Sequence, residues 1–187
     1  MSFRTVPNIG KSIVFVGMMG AGKSSIGRRV ANRLGLQFVD SDDEIENAAG
    51  CSISDIFELH GEQSFRDVER RVIRRLLDGP VKVVATGGGS FMNLKTRQTI
   101  KECAHSIWLR ADYDTLWRRV NKRSNRPMLK TADPQGTLRR LIEERYPTYA
   151  EADLTVESID GPRDATVDRV LDGLVEYLDR SQNKELS

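Results

Sequence analysis

The 187-residue chain predicts an α/β fold, a parallel sheet of about five strands with helices on both faces. Three observations predict it. Short β-branched runs alternate with longer stretches of helical period along most of the sequence. A glycine-rich turn joins the first such run to the first helical stretch, and 39% hydrophobic with 30% charged residues is enough for one sizeable core. Parallel strands need crossover connections, which the helical stretches supply.

The elements follow in order. Ser12-Ile13-Val14-Phe15-Val16 is the first strand, and residues 23–34 carry a helical pattern. Gln37-Phe38-Val39-Asp40 is the second strand, followed by two helical stretches up to Asp78. In GEQSFRDVERRVIRRLL the apolar stripe is Phe65, Val68, Val72 and Leu76, widened by Ile73 and Leu77. A third strand over 81–85 ends in Gly87-Gly88-Gly89. Then come a helix near 94–103, a strand over 105–109, helices near 113–122 and 134–146, a strand over 154–157 and a closing helix over 163–178. Segment 121–136, NKRSNRPMLKTADPQG, is basic and twice broken by proline, and reads as a mobile lid; residues 181–187 read as frayed. One domain is expected over 1–187, with the helical region 41–78 contributing to substrate binding.

Composition excludes some function classes. Lys and Arg total 29 against 27 Asp and Glu, and the net charge of +2 gives no general attraction to nucleic acid or an anionic membrane. No apolar run approaches the roughly 18 residues that span a bilayer. The short apolar span at the N-terminus runs straight into Gly22-Lys23-Ser24-Ser25, so a cleaved signal would remove the chain's best motif. Cys51 and Cys103 lack metal-like spacing and read as reduced thiols of a cytoplasmic protein, and His60 and His105 read as structural.

Gly17-Met18-Met19-Gly20-Ala21-Gly22-Lys23-Ser24 fits G-x-x-x-x-G-K-[ST] between a strand and a helix. Its glycines let successive N–H groups face one anion, Lys23 reaches the outer phosphates, and the Ser24 hydroxyl ligates Mg²⁺. The helix adds its positive end. This predicts a phosphate cradle of Met19, Gly20, Ala21, Gly22, Lys23, Ser24 and Ser25 in a three-layer P-loop fold, and it points to a nucleotide without naming the reaction. Asn121-Lys122-Arg123-Ser124 has serine where a guanine-reading N-K-x-D needs aspartate, which argues against a regulatory GTPase.

Asp40 and Asp42 end the second strand two residues apart, on one side of an extended segment. They suit metal support and the orienting of an acceptor hydroxyl; the competing reading is that Asp42, Asp43 and Glu44 merely fill a helix cap and first turn. Arg66 lies at the edge of its helix's apolar stripe, where Glu69 can hold it while its fork meets an anion. The three glycines bring bare backbone close to a small ligand, and Arg126 and Arg145 can close on phosphate or carboxylate.

Taken in order and spacing, GMMGAGKSSIGRRVA, FVDSDDEIE, ISDIFELHGEQSFRDVE, TGGGS, RPML and EERYPTYAEAD resemble the shikimate kinase family over about 12–153. The resemblance implies transfer of the γ-phosphoryl of ATP to the 3-hydroxyl of shikimate, with Mg²⁺, in a cytoplasmic monomer. By position it implies Lys23, Asp42 and Arg126 as catalytic residues, Ser24 and Asp40 at the metal, Arg126 also over the ATP phosphates, and Asp42, Arg66, Gly88 and Arg145 on shikimate. The family's adenine-contacting segment falls near 159–163, with no residue assigned. Two alternatives stand beside this: a gluconate-type kinase, whose acceptor also carries a carboxylate, and a catalytically silent sensor of shikimate-like ligands.

Overall fold

The computed structural model describes residues 9–122, 129 and 131–185. Five strands, β1 (Ser12–Val16), β2 (Gln37–Asp40), β3 (Lys82–Ala85), β4 (Ala104–Arg110) and β5 (Leu154–Glu157), form one parallel sheet in the order β2-β3-β1-β4-β5. Ile13, Val14, Phe15 and Val16 of the central β1 have no exposed surface, as expected where a parallel sheet is covered on both faces. Helices α1 (Lys23–Leu34), α2 (Ser41–Ala49), α3 (Ile53–Leu77), α4 (Leu94–Cys103), α5 (Tyr113–Asn121), α6 (Pro134–Tyr149) and α7 (Arg163–Glu185) make the crossovers and the closing element.

Direction decides the layers. The chain leaves β1 towards β2 and afterwards moves the other way, to β3, β4 and β5; right-handed crossovers therefore put α1 on one face and α3 and α4 on the other. Helix α7 returns to pack beside α1. The reversal occurs at neighbouring β1 and β3, so a crevice opens beyond their carboxyl ends. Register brings Phe15, Ala85 and Asp40 level across three strands, and the turns after them therefore start at one height.

Several elements depart from the sequence expectation. Helix α6 does not stop at Tyr146 before Pro147 but continues to Tyr149, because Tyr149 is wholly buried and its hydroxyl donates to Gly88 O. Helix α7 runs to Glu185 rather than fraying from 181; an Arg180–Glu176 pair one turn apart and a Ser181 Oγ bond to Tyr177 O at 3.0 Å support that extension. Helix α3 breaks at Gly61, whose φ of 76° and ψ of 173° suit glycine almost alone. Of the segment 121–136, residues 123–128 and 130 lie outside the described residues. His105 accepts its structural reading, bonding Ile9 O through Nε2 at 2.9 Å, and Cys51 and Cys103 are partly buried free thiols. Among the described residues no helix is long and apolar enough to cross a membrane.

Candidate active site

The turn after β1 curls because its glycines permit it: Gly22 has φ 99°, a left-handed value that costs other residues dearly. Gly22 then caps α1 without any side-chain hydrogen bond, whereas Asp40, Ser52, Asn93, Asp112 and Asp133 cap α2 to α6 through their side chains. Helix α1 thus begins without a side-chain cap, the kind of helix start whose N–H groups and dipole suit an anion. Lys23 is buried in this loop, its Nζ donating to Gly17 O at 2.8 Å and Met18 O at 2.9 Å. Those contacts aim the ammonium along the cradle. Ser24 Oγ donates to Asp40 Oδ2 at 2.6 Å, a pair of hard oxygens on two elements that fits Mg²⁺, which takes few protein ligands and completes its set with phosphate and water. Among the described residues no group of three or more His, Cys, Asp or Glu is placed to hold a metal ion.

The acidic pair is arranged differently from the expected extended segment. Helix α2 starts at Ser41, Asp40 is its cap, and Asp40 Oδ1 accepts from Asp42 N at 3.1 Å. Asp42 therefore lies in the first turn, yet its carboxylate faces Gly87. Asp40, rather than Asp42, is the cap: its Oδ1 takes the Asp42 N–H and its Oδ2 the Ser24 hydroxyl, while Asp42, Asp43 and Glu44 fill the first turn. Burial pushes the Asp42 carboxyl up from 3.8 to about 6; Asp40, Glu69 and Asp43 add to the rise and Lys23 opposes it. At neutral pH it is a carboxylate that holds a proton more readily than an ordinary aspartate.

Three consecutive glycines after β3 each approach one predicted site residue. A Cβ on Gly87 would lie 2.9 Å from Asp42 Oδ1, one on Gly88 3.5 Å from Arg145 Nη1, and one on Gly89 2.5 Å from Arg66 Nη2. None of the three has a left-handed φ; a side chain would crowd its neighbours at Gly87 and Gly89, whereas at Gly88 a Cβ would meet Arg145 only at ordinary contact distance. Neighbouring Cα atoms are about 3.8 Å apart, which gathers a carboxylate and two guanidinium groups around one short strip of backbone. Thr86 fixes the strip to the end of β1, its N and Oγ1 both donating to Phe15 O at 3.2 and 2.9 Å.

Each arginine is held from behind. Arg66 Nη1 donates to Glu69 Oε2 at 2.8 Å, one turn on as its spacing suggested, and Nη2 meets exposed Glu62 at 3.4 Å. Arg145 is buried on α6, close to the Tyr149 that bonds Gly88 O. Two guanidinium groups beside a carboxylate suit an acceptor with a carboxylate at one end and a hydroxyl at the other.

A cleft of about 540 Å³ runs from this strip along the cradle to the start of α7, lined by Lys23, Ser24, Asp40, Asp42, Gly87 and Gly88 on one side. Its other end includes Arg119, Ser158, Ile159, Asp160, Gly161 and Arg163. Arg119 was not anticipated from sequence. It donates to Ser158 Oγ at 2.9 Å and Ile159 O at 2.8 Å and pairs with Asp160 at 3.3 Å, binding α5 to the segment where no residue had been assigned. Only its place in one run of basic residues marked it in the sequence. Arg126 lies outside the described residues.

The family model "Shikimate kinase" matches residues 19–175. A shikimate kinase from Rhodopseudomonas palustris is 57% identical over 168 residues, 90% of this chain and 83% of its own. Among solved structures, a shikimate kinase from Acinetobacter baumannii in complex with shikimate superposes with a TM-score of 0.82 at 36% identity, covering 90% of this chain and 93% of its own. A gluconokinase from Sinorhizobium meliloti 1021 reaches 0.62 at 19% identity over 95% and 98% of the two chains, a likeness of fold alone.

Proposed function

The chain belongs to the shikimate kinase family and is a phosphotransferase acting on an alcohol, and on that premise we propose how its own residues move the γ-phosphoryl of ATP to the 3-hydroxyl of shikimate. The observation that carries the reading is the glycine strip, where Asp42, Arg145 and Arg66 meet beside the phosphate cradle.

In this reading Met19, Gly20, Ala21, Gly22 and Ser25 give the cradle its backbone donors and shape, and Lys23 turns its Nζ from the loop carbonyls to the outer phosphates. Ser24 and Asp40 hold Mg²⁺, which supplies charge neutralisation at the phosphates when bound. Arg66 and Arg145 grip the shikimate carboxylate, and Gly88 lets the ring lie close to the backbone. The grip delivers the 3-hydroxyl to Asp42, which accepts its hydrogen bond and takes up the proton as the new P–O bond forms and the bond to ADP breaks. Arg119 and the 158–163 segment receive the adenosine end. Arg126 covers the transferring group, with 121–136 as the lid of a single kinase domain and 41–78 as its acceptor-binding region.

Further parts of the proposal are a monomer in the cytoplasm with ATP and shikimate as its partners and neither nucleic acid nor membrane; the near-balanced net charge of +2 supports that. The test is Arg66→Ala. Its shikimate KM rises about thirtyfold while its ATP KM stays within about twofold, because one charged hydrogen-bonding partner is lost at the acceptor only. Equal losses for both substrates contradict the assignment.

A further inference from the structure

We propose that Ser90 is a positioning residue for the acceptor's carboxylate, acting through Glu69 to keep one edge of the Arg66 guanidinium available. Ser90 opens the short 3-10 turn (Ser90–Met92) that follows the glycine strip, and it has no exposed surface. Its Oγ donates to Glu69 Oε1 at 2.5 Å, within the short range of a hydroxyl bound to a carboxylate. Glu69 is itself only 1% exposed and gives its other oxygen, Oε2, to Arg66 Nη1 at 2.8 Å.

A buried carboxylate has to satisfy both oxygens. Here the two are satisfied by different elements, α3 for one and the turn after β3 for the other. That division matters for Arg66. A guanidinium and a lone carboxylate prefer a two-bond fork, which would commit both Arg66 terminal nitrogens to Glu69. With Oε1 held by Ser90, Glu69 takes Nη1 alone, and Nη2 is left against Gly89 with only a long contact to exposed Glu62. Removal of the Ser90 hydroxyl orphans Oε1, and the carboxylate turns to claim the second arginine nitrogen. The acceptor then meets a guanidinium already engaged.

The inference rests on Arg66 reading the acceptor carboxylate, so the experiment separates the two. Wild type and Ser90→Ala are assayed with ATP and either shikimate or its uncharged carboxamide. Wild type prefers shikimate. Ser90→Ala loses about tenfold in kcat/KM for shikimate, carried by KM, and less than about twofold for the carboxamide, with the ATP KM unchanged. The preference therefore shrinks. An undiminished preference in Ser90→Ala, or equal loss for both acceptors, overturns the role of Ser90 while leaving Arg66 standing. A wild type indifferent to the carboxylate removes the Arg66 assignment and the inference with it. If Ser90→Ala does not fold, Ser90→Cys fills the space with a poor donor and carries the same expectation; an unchanged preference there overturns the proposal.

Discussion

Asp42 shows what a single residue contributes and what it costs the fold. Its carboxyl is raised to about 6 chiefly by burial, so the folded chain keeps a proton that the unfolded chain releases near 3.8. The associated stability is fully present below about 3.8 and is lost as pH rises through about 6, an effect of about 3 kcal/mol. The ionised carboxylate that suits the acceptor hydroxyl is thus held against the preference of its surroundings. In thermal unfolding without Mg²⁺ or nucleotide, Asp42→Asn melts above wild type at pH 7.5 and level with it at pH 4, while turnover is lost. A variant that melts lower at pH 7.5 would contradict the burial argument. That this aspartate and Asp40 lie close together was legible from their spacing, but the local conformation was not. The choice between strand and helix at 41–42 is made by Asp40, which caps α2 with one oxygen while the other accepts from Ser24 on a distant element.

At the scale of elements, the strip Gly87-Gly88-Gly89 joins three helices that approach from different sides: α2 with Asp42, α6 with Arg145 and α3 with Arg66. Gly89 has φ −92°, which alanine adopts without strain, so the effect of a methyl there is steric and local. A Cβ would press on the Arg66 guanidinium at 2.5 to 3.1 Å and move its flexible end. Gly89→Ala is therefore expected to melt within about 2 °C of wild type, with a shikimate KM about tenfold higher and an ATP KM unaltered. Unchanged shikimate affinity would show that Arg66 does not work from this position. The helical pairing of Arg66 with Glu69 could be read from a three-residue spacing, because neighbours on a helix are set by period alone. The division of the glycines among three side chains could not, since it depends on where three separate helices end up.

For the whole molecule, the alternation of strand and helix made the sheet and its crossovers readable, and the crossover rule then placed the cleft at β1 and β3. Interactions between elements far apart in the chain were the part that stayed hidden. Arg119 on α5 meets Ser158 and Ile159 after β5, about forty residues later, and no local pattern announces that meeting. Helix α6 ran past Pro147 for a similar reason, because burial of Tyr149 against the glycine strip outweighs the local signal to stop. The cleft runs along the glycine-rich loop to Asp42, Gly87 and Gly88, and Arg145 and Arg66 approach the same strip at Gly88 and Gly89, so the central claim concerns which acceptor these two regions receive together. The most direct measurement is phosphoryl transfer by the purified chain from Mg·ATP to shikimate and, in parallel, to gluconate, with the product identified by phosphorus NMR. The account predicts steady turnover with shikimate to the 3-phosphate and little with gluconate. Preference for gluconate, or no transfer to either acceptor, would contradict it.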